Sequence, residues 1–140
     1  MDNLKEVRPT KFFAVPRIYE KFMERILEAE HKASWSKKAL LRWARARTAD
    51  HYDGVIKYGR GHKPGLGYKL AQRLVISKIH AALGLEKAMA REAFGSVSTG
   101  AAPTAPSTFE FLKSIGVFPV EIYGCSEVTG PVRIIQLDNQ

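Results

Sequence analysis

Two short stretches hold residue types able to handle a phosphorylated ligand. In Tyr123-Gly124-Cys125-Ser126-Glu127 the tyrosine offers a flat π-face for a base and a hydroxyl at its tip. Gly124 lets the backbone turn sharply and approach a ligand closely. The Ser126 hydroxyl can hydrogen-bond a phosphate oxygen, and Glu127 is a hard oxygen ligand suited to magnesium. In Gly100-Ala101-Ala102-Pro103 a run of small residues lets a planar base or an extended chain slide against the backbone. Together the two stretches can sandwich a nucleotide. Taken singly, each reads more readily as an ordinary turn.

Other chemistries find less support. Cys125 is the only cysteine, so no intrachain disulfide and no multi-cysteine zinc site can form. The four histidines, His31, His51, His62 and His80, all lie far from it in sequence. A nucleophilic cysteine needs a base beside it, and Cys125 therefore reads as a small packing residue. The histidines lack the spacing of zinc ligands. Gly59 to Gly65 is glycine-rich and basic, but it matches neither a P-loop nor a dinucleotide fingerprint.

The elements that must position the two stretches follow from pattern. Thr10 to Val15 reads as a short buried strand, and Pro16 suits the first turn of a helix. Ile18, Phe22 and Ile26 then recur at four-residue spacing beside Tyr19, Met23 and Leu27, with charged residues opposite, which predicts an amphipathic helix. A second helix runs from Ser34 or Ser36 to about Ala49 on apolar anchors Trp35, Leu40 and Trp43. Tyr58 to Gly67 predicts a loop. A third helix covers Tyr68 to Leu83, with Leu70, Leu74, Val75, Ile79 and Ala82 inward and Gly84 as its stop. Ala93 to Ser98 predicts a strand, Pro106 to Ile115 a helix with Phe109 and Leu112 inward, and Phe118 to Tyr123 a strand breaking at Gly124. Strand, helix and strand within so few residues form a βαβ unit. The fold class is α/β with a basic helical insertion, divided as 1–31, 32–85 and 92–131, and with at most three strands. Ligands in such sheets collect outside the carboxyl ends of the strands, which here are Gly100 to Pro103 and Tyr123 to Glu127.

Charge is unevenly distributed along the 140 residues. Residues 1–70 hold 16 Lys/Arg against 8 Asp/Glu, and residues 71–140 hold 6 against 6. Between Lys32 and Arg73, 11 basic residues meet only Asp50 and Asp53. Such a block is either a solvated helical face or a contact for nucleic acid, anionic lipid or a phosphorylated ligand. No apolar run approaches bilayer-spanning length, and Met1 to Glu6 lacks the features of a secretory signal. The single cysteine adds to an expectation of a reducing, intracellular setting.

The order of the segments carries more than any one of them. Glu6-Val7-Arg8-Pro9-Thr10, then Val15-Pro16-Arg17-Ile18-Tyr19-Glu20-Lys21, then Gly100-Ala101-Ala102-Pro103, then Tyr123 to Glu127 resemble the long-chain acyl-CoA synthetases of the adenylate-forming (AMP-binding) superfamily, most closely the bubblegum type. Lys69 to Ile79, followed by Leu83-Gly84-Leu85, resembles the helical insertion of those enzymes. The likeness extends from about Leu4 to Pro131.

The resemblance implies a ligase that activates a fatty acid with ATP to an acyl-adenylate and passes the acyl group to coenzyme A, with Mg2+ offsetting phosphate charge. Carried over by position, Tyr123 flanks or stacks on adenine, with Ile122 and Gly124 lining the slot. Ser126, where the family has Thr or Ser, contacts the α-phosphate, and Glu127 ligates magnesium. Gly100, Ala101, Ala102 and Pro103 contact adenine and border the acyl tunnel, while Cys125 falls at a variable slot. The Ser/Thr/Gly-rich phosphate loop, the ribose-holding aspartate, the hinge and the catalytic lysine of the family have no counterpart here. The chain thus resembles an internal piece of the large N-terminal domain, expected to be inactive alone. Peripheral contact with an intracellular membrane fits the basic half, and nucleic acid is the less favoured partner. The rival expectation is a small basic binding module acting through residues 32–73.

Overall fold

The computed structural model describes residues 2–58, 62–89, 96–125 and 130–135. After a short helix α1 (Asp2–Val7) the chain enters strand β1 (Phe12–Ala14) and then α2 (Pro16–Lys32), with Pro16 in the first turn. The missing N–H of proline costs nothing there, because that donor has no intrahelical partner. Helix α3 (Trp35–Tyr58) follows, then α4 (Leu66–Ala71), a π-helical turn (Gln72–Ile76), α5 (Ser77–Leu83) and α6 (Glu86–Met89). Strand β2 (Val97–Gly100), helix α7 (Pro106–Ser114), strand β3 (Val120–Cys125) and strand β4 (Gly130–Ile135) complete the described chain.

The strands lie in the order β1-β2-β3-β4. The first three are parallel, with Phe12 opposite Val97 and Gly100 opposite Ile122, while β4 returns antiparallel to β3. β2, α7 and β3 are the predicted βαβ unit, in a mixed α/β arrangement. The fourth strand corrects the expectation of at most three. β3 also does not break at Gly124. It runs on to Cys125 through a register irregularity in which Tyr123 pairs with Arg133 and Gly124 with Pro131.

One core packs α2, α5, α6 and α7 on the sheet through Tyr19, Phe22, Leu83, Leu85, Val97, Leu112, Ile115 and Val117. The buried Tyr19 hydroxyl donates to the Ser98 carbonyl at 2.8 Å, and burial pushes its pKa well above the phenolic range. A smaller cluster of Ala44, Ala71 and Ile76, flanked by Trp43, Val75 and Ile79, joins α3 to α4 and the π turn. Small residues at that contact let the two helix backbones approach.

The helical insertion departs from simple periodicity. Helix α3 extends past Ala49 to Tyr58, and only Trp43 of its three expected anchors packs inward. Trp35 is 84% exposed and Leu40 is exposed as well. In the next helix Leu70, Leu74 and Ala82 point outward, whereas Tyr68, Ala71, Ile76, His80 and Leu83 are buried. The π turn inserts a wider i→i+5 turn, so a strict 3.6-residue count misplaces the inward face after Ala71. In α7 the buried aromatic is Phe111, with Phe109 only half-buried. The predicted strand over Ala93 to Ser98 starts instead at Val97, and Ala93 to Gly95 lie outside the described residues.

Two helices end as their glycines predict. After α5 the N–H of Leu85 reaches the His80 carbonyl at 2.9 Å, with Gly84 at φ 76°. After α7 the N–H of Val117 reaches the Leu112 carbonyl at 2.9 Å, with Gly116 at φ 73°. Both are Schellman closures needing a residue in the left-handed region, where glycine avoids a Cβ penalty.

These two turns are linked by His80. Its Nε2–H donates to the Ile115 carbonyl at 2.7 Å inside the core. Burial lowers the His80 pKa, with the Ile115 hydrogen bond opposing the shift. Because the folded value lies below the unfolded value of about 6.5, this contribution to stability is complete above pH 6.5 and is lost as pH falls from there toward the folded value. His80→Gln keeps a donor but removes the titration. Relative to the His80→Gln variant, the parent is therefore expected to lose stability between about pH 7 and pH 5, as read by urea midpoints at each pH. Parallel profiles for the two proteins would refute this.

Candidate functional site

The carboxyl ends of β1, β2 and β3 share one edge of the sheet, so the loops after them are neighbours by topology. Gly100 is the last residue of β2 and lies opposite Ile122 of β3. A Cβ on Gly100 would come within 2.8 Å of the Ile122 carbonyl oxygen and 3.2 Å of the Phe13 ring. Glycine is required here by the protein's own packing, which holds three strands tightly together at this edge. Of the sequence-predicted residues, Gly100 is thus buried inside the wall of the site.

The next residues form the surface of that wall. Ala101 adopts φ 69°, a conformation costly for a residue with a Cβ. Ala101, Ala102 and Pro103 are all exposed. The strained turn is tied at its far end, where the Thr104 N–H donates to Glu121 Oε1 at 3.2 Å and the Thr99 and Thr104 hydroxyls lie 3.4 Å apart. Observed strain of this kind, over-determined by its surroundings, is found at ligand-holding loops.

On β3, Ile122 is half-buried, Tyr123 is 63% exposed and Gly124 is exposed. The β3–β4 irregularity falls between Tyr123 and Gly124, and bulges there re-aim side chains at the end of a ladder. The structure thus brings Gly100–Pro103 together with Ile122–Gly124 at one sheet edge, as the sequence predicts. Ser126 and Glu127, the predicted phosphate and magnesium residues, lie outside the described residues. Among the described residues no group of three or more His, Cys, Asp or Glu is placed to hold a metal.

Sequence reasoning missed Phe13, Thr104 and Glu121. Phe13, 59% exposed, packs its ring edge toward Gly100. Thr104 and Glu121 fix the loop through contacts that no local pattern encodes. A separate open groove of about 900 Å³ runs along the outer edge of β1, between Phe12, Val15 and the α2 residues Ile18, Lys21 and Arg25. It includes neither Gly100–Pro103 nor Ile122–Gly124.

The basic stretch proves partly internal. Arg45 Nη1 lies 3.3 Å from Glu30 Oε2, and its Nε donates to Ser114 Oγ at 3.0 Å. Its guanidinium also stands 4.4 Å over the Phe111 ring. Arg42 shares Glu30, and Arg47 lies 3.5 Å from Asp50. Arg45 in particular braces α2, α3 and α7, so a binding module that depends on Arg42, Arg45 and Arg47 is weakened.

Comparison with known proteins adds the deciding observation. The chain is 36% identical over 133 residues to the long-chain-fatty-acid–CoA ligase ACSBG2 of Xenopus laevis, covering 94% of this chain and 17% of that protein. It is 34% identical over 132 residues to the ACSBG2 of Gallus gallus, covering 94% and 16%. It is also 34% identical over 136 residues to the long-chain-fatty-acid–CoA ligase heimdall of Drosophila melanogaster, covering 94% and 18%. The chain is homologous to a segment of the bubblegum-type long-chain-fatty-acid–CoA ligases. It spans about one sixth of the length of these ligases. No family model and no solved structure matches it. The ligase homology covers the sheet edge and the helical insertion alike, so it accounts for both halves of the chain.

Proposed function

We propose that the chain is the part of a long-chain fatty-acid–CoA ligase that flanks the nucleotide, within an adenylate-forming domain. The observation that carries this reading is the pairing of β2 with β3. It sets the strained, exposed Ala101–Pro103 turn beside the exposed Tyr123 in a chain that aligns with such ligases over 94% of its length. The residues fit a nucleotide: the tyrosine offers an open aromatic face, and the small-residue turn leaves room against it. Tyr123 would flank adenine, with Ile122 and Gly124 along the slot. Ser126 would donate to the α-phosphate and Glu127 would hold Mg2+. The metal ion supplies neutralisation of phosphate charge while the α-phosphorus is attacked.

The chemistry begins from a poor acyl donor. A fatty carboxylate cannot expel its own oxygen until that oxygen belongs to a good leaving group. Its attack on the α-phosphorus of ATP releases pyrophosphate, and coenzyme A thiol then displaces AMP from the acyl-adenylate. This segment contributes orientation of the base and, through Ser126, a hydrogen bond at the reacting phosphate. Fatty acid, ATP and coenzyme A are the partners of this reading, in an intracellular setting.

In a ligase carrying this segment, Glu127→Gln is expected to lower fatty-acid-dependent pyrophosphate release by about 100-fold or more with an unchanged unfolding midpoint. Near-parent release from the variant would overturn the assignment. The 140-residue chain alone is expected to give no sustained release, and turnover by it would overturn the view that it is one part of a site.

A further inference from the structure

An apolar row lies on the outside of the insertion, along α4 and into the π turn. Leu66, Leu70 and Leu74 follow one another at four-residue spacing, a separation that stacks side chains on one helical face. They are 80%, 53% and 48% exposed. Around them stand Lys63, Lys69, Arg73 and Lys78, all exposed, and none has a carboxylate within 4.0 Å among the described residues. From Gly54 to Leu85 the sequence contains six Lys/Arg and no Asp or Glu.

We infer that this face, Lys63 to Lys78, docks on an anionic lipid surface, with the three leucines entering the headgroup boundary and the four cations meeting lipid phosphates and carboxylates. An apolar row flanked by cations without acids is the pattern of a helix lying in a bilayer interface. Arg42, Arg45 and Arg47 of the basic stretch do not share this character, since they lie against Glu30 and Asp50. Nucleic acid would use the cations and leave the leucines in water. A lipid surface uses both. No helix among the described residues is long and apolar enough to cross a membrane, so the contact is with the surface. The inference does not depend on the ligase reading, because it uses no residue of the nucleotide site.

The test is flotation of the full chain with vesicles of phosphatidylserine and phosphatidylcholine, against vesicles of phosphatidylcholine alone, at low and at high salt. Binding is expected to the anionic vesicles and to fall with salt. Lys69→Glu with Arg73→Glu is expected to weaken it by at least about tenfold, since each cation near such a surface is worth roughly fivefold. Leu70→Ser with Leu74→Ser is expected to weaken it by about tenfold. Lys11→Glu with Lys21→Glu changes net charge equally at other exposed positions and is expected to leave binding nearly unchanged. Circular dichroism checks that each variant keeps its helices. Hydrogen exchange on the unaltered chain adds a measurement free of substitutions, with slowing expected over Leu66 to Leu74 when anionic vesicles are present. Four results would each overturn the inference: equal binding to neutral vesicles, absence of binding, an equal loss in the Lys11/Lys21 variant, or slowed exchange that follows protein concentration without lipid.

Discussion

Arg45→Ala is expected to lower the unfolding free energy by about 3 kcal/mol, measured as a shift of the urea midpoint. The side chain joins three helices at once: α2 through Glu30, and α7 through Ser114 and the Phe111 ring. The Arg45 and Glu30 side chains are only 22% and 11% exposed. Burial lowers the Arg45 pKa, and Glu30 works against that shift. Removing the arginine leaves a largely buried carboxylate with only the longer, solvent-facing Arg42 contact at 3.4 Å. Arg42→Ala provides the contrast, because that side chain is 75% exposed and an exposed pair contributes under about 1 kcal/mol. Equal losses in the two variants would show that Arg45 is not the brace.

Gly84→Ala is expected to cost about 3 kcal/mol, and Gly116→Ala only about 1 to 2 kcal/mol. The two glycines have nearly the same backbone, φ 76° and φ 73°, so the left-handed penalty is shared. Their surroundings differ. A Cβ at Gly84 would lie 2.5 Å from the Leu4 carbonyl oxygen, so α1 would have to move. At Gly116 the nearest atoms, on Thr48 and Tyr52, stand at 3.6 Å, ordinary contact. The difference between the two midpoints therefore measures the docking of α1 against the end of α5. Comparable destabilisation would mean that α1 gives way without cost.

What could be read from the sequence divides along physical lines. α2 was legible because Pro16 marks its start and Ile18, Phe22 and Ile26 keep one period along it. Gly84 and Gly116 were legible because only glycine accepts the left-handed turn without strain. β4 was missed although Val132, Ile134 and Ile135 are β-branched, a composition that suits a strand. The insertion misled more actively. Leu70 and Leu74 look like core residues by type, but Tyr68 and Ala71 take the inward face of α4, and the wider turn at Gln72–Ile76 then passes that face to Ile76. At the candidate site, Gly100–Pro103 and Tyr123 stood out by type, and their adjacency followed from the βαβ order. The tie from Thr104 to Glu121 spans 17 residues and depends on the finished register, so no local pattern could have announced it.

The separation of β1 from its partner governs the order in which the molecule can assemble. The Tyr19 hydroxyl meets the Ser98 carbonyl across 79 residues of chain, and the whole of the helical insertion lies between them. Closing so long a segment is entropically slow compared with forming helices from neighbours in sequence. The insertion and the β2-α7-β3 unit can each gather from local contacts, whereas β1 must wait for both before it finds its place. Until it does, Phe12 and Phe13 remain outside any sheet, on a strand that lies at one edge of the described sheet. In a cell, the interval before β1 closes would be when this segment most needs a chaperone.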